Sequence, residues 1–152
     1  MEISYFEMAE EDIPCIAAME QQFFSQPWKE ESIGHYMEAG NTLFLVAKDP
    51  QKNIVGYLAL MCILDEADLV SIAVDEDFRN MGIAREMLDI AYETAAESGI
   101  VKIHLEVRES NLPAIKLYES EGFVKDGIRK DFYDKPKENA ILYTRLIGED
   151  EC

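Results

Sequence analysis

Between an apolar strand and a helix the chain reads Asp75-Glu76-Asp77-Phe78-Arg79-Asn80-Met81-Gly82-Ile83-Ala84-Arg85, a spacing of small residues that can hold an anion with backbone alone. Gly82 and Ala84 carry almost no side chain, so the loop can approach a ligand closely. The first N–H groups of the following helix have no partner within it and point outward. The helix dipole adds about half a positive charge at the same place. Phosphate or pyrophosphate is the chemistry such a loop takes. A plain tight strand-to-helix turn would use the same residues, so the loop leaves both readings open, and the rest of the chain must choose.

The chain has 152 residues, enough for one domain with a proper core. We read 1–152 as a single domain, with its core in 2–147 and a polar tail in Gly148-Glu149-Asp150-Glu151-Cys152. A composition 48% hydrophobic and 30% charged is globular rather than disordered. No apolar run approaches the length that crosses a bilayer, so no membrane partner is expected. Met1-Glu2-Ile3-Ser4-Tyr5-Phe6-Glu7 lacks the basic start and apolar stretch of a secretory signal. Cys15, Cys62 and Cys152 are too few and too scattered for a disulfide framework or a zinc site. A cytoplasmic chain with reduced thiols and no metal is the simple reading. The net charge of −17 makes nucleic acid a poor partner, so no direct nucleic-acid binding is expected, because phosphate contacts need Lys and Arg. It suits a basic partner, since opposite fields steer association, and it would equally serve solubility alone.

The loop needs a scaffold, and the pattern of apolar residues supplies one. Residues 2–7 read as an edge strand. Glu10-Glu11-Asp12 open a helix with Pro14 in its first turn, where acids and proline are both favourable. Ile13, Ile16, Ala17, Met19, Phe23 and Phe24 form its apolar face. Gln26-Pro27-Trp28 stops it, because the residue before proline avoids the helical region. A second helix over about 29–39 ends at Gly40-Asn41. Strands at 42–47 and 54–61 flank the turn Asp49-Pro50-Gln51-Lys52-Asn53, which makes a hairpin. A further strand covers 68–74, and the helix after the Gly loop runs to Ser98-Gly99, with Ile83, Met87, Leu88, Ala91, Tyr92 and Ala95 on one side. The segment 101–107 alternates, with Lys102, His104 and Glu106 on one face. A helix begins at Asn111 and ends at Gly122-Phe123, and two strands close the chain near 123–131 and 139–146. The predicted order β-α-α-β-β-β-α-β-α-β-β is an α/β (α+β) fold: one mixed sheet with helices on both faces. Its strand–helix–strand unit from 68 to 107 should be parallel and right-handed.

Two segments of this scaffold carry a resemblance. The loop Arg79-x-x-Gly82-x-Ala84 after Ile72-Ala73-Val74 resembles the acetyl-CoA pyrophosphate loop of the GNAT N-acetyltransferase superfamily. Asn111-x-x-Ala114-x-x-Leu117-Tyr118-x-x-x-Gly122-Phe123 resembles that superfamily's downstream motif. The element order agrees over nearly the whole chain. Pro27-Trp28, Leu64-Asp65-Glu66-Ala67, Leu105-Glu106-Val107-Arg108 and Arg129-Lys130-x-Phe132-Tyr133 resemble the RimI family, whose members acetylate the N-terminal alanine of ribosomal protein S-18. There are departures: Ala84 replaces a second loop glycine, Asn80-Met81 lacks a further arginine, and Lys130 stands where arginine is usual.

The resemblance implies acetyl-CoA as co-substrate, no metal, and splayed central parallel strands. It places the cofactor on Ile72, Ala73, Val74, Arg79, Asn80, Met81, Gly82, Ile83, Ala84, Arg85 and Asn111. The strand 72–74 would pair its backbone with the pantetheine arm, and an N–H near Val74 would stabilise the oxyanion. The same strand reads equally as plain core, and Asn111 reads equally as a helix cap. Glu106 matches the family's general base and Tyr118 its general acid for the departing thiolate. From residue type alone, Glu106 is also a surface position of an alternating strand and Tyr118 a packed aromatic. The acceptor groove is expected around Trp28, Asp65, Glu66 and Tyr133. An α-amine with pKa near 8 is about one-tenth neutral at pH 7, whereas a lysine amine is neutral in only about one molecule in several thousand. A modest base therefore suffices for a protein N-terminus, the expected acceptor being that of ribosomal protein S-18. An N-acetyltransferase for a small amine such as a polyamine or aminoglycoside, and a non-catalytic acetyl-CoA-binding module, are the alternatives. A peptide needs an open channel and a small amine a closed pocket, which separates the first two.

Overall fold

The computed structural model describes residues 2–147; the expected tail at 148–152, with Cys152, lies outside the described residues. The strands are β1 (Ser4–Glu7), β2 (Thr42–Lys48), β3 (Ile54–Ile63), β4 (Glu66–Val74), β5 (Lys102–Arg108), β6 (Val124–Tyr133) and β7 (Glu138–Leu146). The helices are α1 (Ile13–Phe23), α2 (Glu30–Ala39), α3 (Ile83–Glu97) and α4 (Leu112–Ser120). Their order is the one read from the sequence. All seven strands share one mixed sheet, ordered β1-β2-β3-β4-β5-β7-β6.

Local chemistry accounts for the boundaries. Glu10–Asp12 form a single 3-10 turn rather than the first α-turn, because the Asp12 carboxylate accepts the Ala9 N–H at 2.8 Å and pairs with Lys48 at 3.3 Å. α1 ends at Phe23, and Phe24 is already extended at φ −125° and ψ 143°. α2 ends where Gly40 takes φ +78°, a left-handed turn that costs glycine nothing. β4 begins at Glu66, two residues earlier than expected, because Leu64 at φ +58° allows a tight β3–β4 hairpin.

Two cores lie on opposite faces. The larger joins α3 and α4 to the sheet through Ile83, Met87, Leu88, Ala91 and Tyr118. The smaller joins α1 and α2 through Ile16, Met19, Ile33, Phe44 and Tyr57. Strand alternation decides which residue enters which core, and one bulge changes the alternation. Ala59 pairs with Ser71 and Leu60 with Leu69, so Val70 is the extra residue of β4. Leu69 belongs to the larger core, and Ala73 beyond the bulge to the smaller.

The sheet opens in its middle. β4 and β5 are parallel and pair at Glu66–Lys102, Ala67–Ile103 and Asp68–His104, and no further. Beyond Asp68, β4 stays paired with β3 up to Gly56–Val74, while β5 stays paired with β7 up to Arg108–Ala140. The two strands therefore splay toward their carboxyl ends, the crevice in which α/β sheets hold ligands.

Candidate active site

A cleft of about 560 Å³ fills the splay. Its walls include Ile72–Val74 of β4, Glu106–Arg108 of β5, Tyr118 of α4, Phe23–Gln26 and Trp28 of the α1–α2 connection, and Tyr133 of β6. Glu106 and Tyr118 belong to opposite faces of the sheet. Glu106 alternates with Leu105 and Val107, which enter the larger core together with Tyr118. A carboxylate on one face and a phenol packed on the other reach the same space only because the strands between them have parted.

On the α3 side the site is made of backbone. Among the described residues the β4 edge facing β5 has no strand partner from Leu69 to Val74. Asn80 takes φ +63° and Gly82 φ +80°, so the loop alternates into left-handed conformations that turn successive N–H groups into a concavity for anions. A methyl group added at Gly82 would meet nothing within 4 Å, so the loop is open in front of the α3 N-terminus. Arg79 fastens the loop to the strand: its Nε donates to the Val74 carbonyl at 3.2 Å, and its guanidinium lies 5.3 Å from the Phe23 ring centre. Arg79 and Ala84 line the cleft. Ile83 is buried in the core, so only its backbone faces the loop. Met81 is exposed, and Arg85 is held 2.8 Å from Glu121 at the end of α4. Asn111 lines the cleft and also caps α4, its side chain accepting the Ala114 N–H at 3.3 Å.

On the α1–α2 side the site is made of side chains. Arg129 of β6 donates to Glu106 at 2.8 Å and stacks 5.2 Å from the Phe132 ring. Burial pushes the Tyr133 phenol up to about 12, with the Glu106 charge adding to the effect. Burial likewise raises Tyr118 above its ordinary value, so it is fully protonated at neutral pH, the state a proton donor requires. Its hydroxyl makes no hydrogen bond among the described residues and is therefore available to a ligand. Trp28 stacks 5.2 Å from Tyr36 and 6.1 Å from Phe44 while also lining the cleft, so it is both core anchor and wall.

Two expected acceptor residues lie outside this cleft. Asp65 closes the β3–β4 hairpin, and Glu66 starts β4 at its far end, opposite Lys102. Four residues of strand, about 13 Å, separate that level from Glu106. The Glu66 carboxylate contacts His104 Nε2 at 2.5 Å, which holds it below its ordinary pKa. His104 Nδ1 lies 2.8 Å from Thr144 Oγ1, so both its ring nitrogens are engaged.

Sequence reasoning gave no role to three residues that the fold brings here. Glu20 of α1 is 2% exposed and lines the cleft. It accepts the Trp28 N–H at 2.9 Å, the Ser71 hydroxyl at 3.0 Å and the Tyr57 hydroxyl. Its signal was present, since a carboxylate at position 20 continues the apolar stripe of Ile13, Ile16 and Phe23. Arg108 and Arg129 stood within recognised motifs, but their partners come from elements distant in sequence, which no local pattern reveals.

The cleft does not end at Glu106. Leu69, Val70, Glu106 and Tyr133 also line a second space of about 540 Å³, which continues over the bare face of β4, β5 and β7 past Asp68, His104, Asp126 and Leu142. Among the described residues no helix is long and apolar enough to cross a membrane.

Comparison with known proteins agrees with this architecture. The alanine N-acetyltransferase of ribosomal protein bS18 from Salmonella typhimurium is 36% identical over 140 residues, 90% of this chain and 93% of that one. The crystal structure of the ribosomal-protein-S18-alanine N-acetyltransferase from Escherichia coli superposes with a TM-score of 0.87 at 30% identity, covering 97% of this chain and 95% of that one. The NatC complex bound to Gag peptide and CoA shares the fold, with a TM-score of 0.85 at 22% identity over 97% of this chain and 99% of that one. Residues 12–123 match the model of the Acetyltransferase (GNAT) family, and with the splayed β4–β5 pair and the glycine loop before α3 already in place, the chain belongs to that family.

Proposed function

We propose that the protein transfers the acetyl group of acetyl-CoA to the N-terminal α-amine of a basic protein, and that the natural acceptor is the N-terminal alanine of ribosomal protein S18. The single observation that carries the acceptor class is the open trough. A small amine needs a closed pocket, whereas this cleft runs on past Glu106 over the bare sheet face, as an acceptor followed by more chain requires. The 36% identical Salmonella relative acts on such an acceptor by name, and a net charge of −17 favours a basic tail.

The residues present suit acetyl-CoA. The 80–84 loop and the α3 N-terminus would hold its pyrophosphate, and the unpaired edge of Ile72–Val74 would take its arm as an added strand. The thioester supplies an activated acetyl carbon and a thiolate leaving group. This chain's own residues do the rest. Glu106 accepts the proton of the attacking ammonium, directly or through one water. Arg129 orients that carboxylate through its hydrogen bond. Tyr118 gives its proton to the departing sulfur while the carbon–sulfur bond breaks, and the proton released at the amine restores it through solvent. Both substrates occupy the cleft together, so no acyl-enzyme forms. We place the protein in the cytoplasm, where such tails are made.

A thiol-release assay with two peptides tests the reading. One is a basic peptide with a free N-terminal alanine. The other is the same sequence with a blocked N-terminus and an internal lysine. Turnover of the first alone is expected. Turnover of neither, with acetyl-CoA still bound, would remove the N-terminal assignment in favour of a small amine.

A further inference from the structure

Arg108, the last residue of β5, stands two positions beyond Glu106 on the same face of the strand, and its guanidinium reaches three other pieces of chain. Its Nη1 donates to the Pro136 carbonyl at 2.8 Å and to the Glu138 carboxylate at 3.2 Å. Its Nη2 donates to the Ser25 hydroxyl at 2.9 Å and to the Asp134 carbonyl at 2.9 Å. The Ser25 hydroxyl in turn donates to the same Asp134 carbonyl at 3.2 Å. The guanidinium plane lies 4.5 Å from the Tyr133 ring centre. Ser25 belongs to the α1–α2 connection, whereas Asp134 and Pro136 belong to the β6–β7 turn. Ser25 and Tyr133 line opposite sides of the acceptor cleft, and Asp134, next to Tyr133, meets Ser25 across 109 residues of sequence.

We propose that Arg108 is a positioning residue that clasps the two walls of the acceptor cleft together, closing it at the carboxyl end of β5 and fixing its width around the acceptor amine. The inference rests on the proposed acetyl transfer and adds to it the element that aligns the acceptor. Among the described residues nothing else joins these segments so densely: the walls meet through one hydroxyl and one carbonyl, and the guanidinium binds both. Arginine suits the task because its planar fork serves several acceptors at fixed angles, while a lysine ammonium is a point charge on a flexible stem. The clasp also explains why β6 reaches Tyr133 and β7 starts at Glu138. Glu138 accepts both from Arg108 and from the Ser110 N–H at 2.5 Å, so the turn is tied to the end of β5 from two sides. With that end shut, the chain behind the acceptor amine leaves along the trough past Val70 and Asp68.

The test is Arg108→Lys, which keeps the charge, with Ser25→Ala as a milder partner. Hydrogen exchange of the acetyl-CoA complex reads the clasp without any acceptor. In Arg108→Lys the amides of 24–28 and of 134–138 should exchange faster together, while those of α3 stay unchanged. Kinetics read its consequence. A misaligned acceptor should raise the KM for the alanine-first peptide by about tenfold, with the acetyl-CoA dissociation constant within about twofold of wild type. Alaninamide, which barely touches the walls, should lose far less, and Ser25→Ala should fall between. Unchanged exchange in both segments overturns the clasp whatever the acceptor proves to be. So does an equal loss of peptide, alaninamide and acetyl-CoA affinity, which would mark general destabilisation. A wild-type protein that acetylates only small amines would defeat the proposed function while leaving the exchange result to judge the clasp.

Discussion

The two sides of the splay are built from different materials. The α3 side is backbone: an unpaired strand edge, a loop turned left-handed at Asn80 and Gly82, and the start of a helix. The α1–α2 side is side chains: Glu20, Trp28, Glu106, Arg108, Arg129 and Tyr133, drawn from four separate stretches of chain. A backbone site recognises what all acyl-CoA molecules share and needs little from its side chains beyond smallness. A side-chain site can be altered one residue at a time, which suits it to choosing the proposed acceptor. If the contrast is real, substitutions on one side should change how fast or on what the enzyme acts. Those on the other should change how tightly the co-substrate binds.

The largest expected effect is on the side-chain face. Glu106→Gln removes the base and should lower kcat/KM by about 10²–10⁴-fold. The acetyl-CoA dissociation constant should stay near wild type by calorimetry, because Glu106 touches no part of the loop. A large loss of acetyl-CoA binding would break the division between the two sides.

Next is Glu20→Ala, which probes whether the side-chain face depends on its buried support. Alanine leaves the Tyr57 and Ser71 hydroxyls and the Trp28 N–H without their acceptor. Stranded buried donors of this kind should together cost about 3 kcal/mol, read as a lower urea midpoint at unchanged slope. The co-substrate side should be untouched once the protein is folded. Glu20→Gln, which keeps the acceptor oxygen, should recover much of the loss.

On the backbone side, Gly82→Val is the sharpest probe. A methyl group there has open space, so a clash with the protein is not the cause. The cause is φ +80°, which a β-branched residue resists, and the loss of close approach to the ligand. Acetyl-CoA affinity should fall by about tenfold, equivalent to about 1.4 kcal/mol. The KM for the peptide at saturating acetyl-CoA should hardly move.

The same division explains what could be read from the chain before folding it. The shape of the backbone side was legible, because the conformation of Ile72-Ala73-Val74, Arg79-x-x-Gly82-x-Ala84 and Asn111 is local, and local conformation is written in neighbouring residues. The element order and the splay followed from periodicity and the resemblance. On the side-chain face, Glu106, Tyr118, Trp28 and Tyr133 were placed in the cleft by motif. Asp65 and Glu66 were not: a hairpin starting two residues earlier than expected puts them at the far end of β4. The Glu106–Arg129 and Arg108–Ser25 contacts span 23 and 83 residues of sequence. Pairings at that distance are set by sheet order and by the bulges of β6, which leave no local trace. Glu20 is the exception that could have been found, a carboxylate on an apolar stripe.

The smallest expected effect is acid sensitivity confined to the acceptor side. Glu138 is held below its ordinary carboxylate pKa by hydrogen bonding from Ser110 and then by Arg108. Arg108 is paired with it, and the Tyr133 phenol beside it is pushed up by burial and so keeps its proton through the acid range. A carboxylate whose folded pKa is depressed stabilises the fold fully above its unfolded value, near 4.3, and loses that contribution as pH falls through the lower folded value. The clasp should therefore be insensitive to pH from neutrality down to about 5 and weaken only below the ordinary carboxylate range. Exchange of the 134–138 amides, followed at decreasing pH and corrected for intrinsic rates, should show that onset. Glu138→Gln should remove it, while the α3 amides keep their protection throughout. The change from a single carboxylate will be small, and its value lies in its place: an acid-dependent step in the β6–β7 turn with a silent glycine loop would show that the two sides of the splay respond separately.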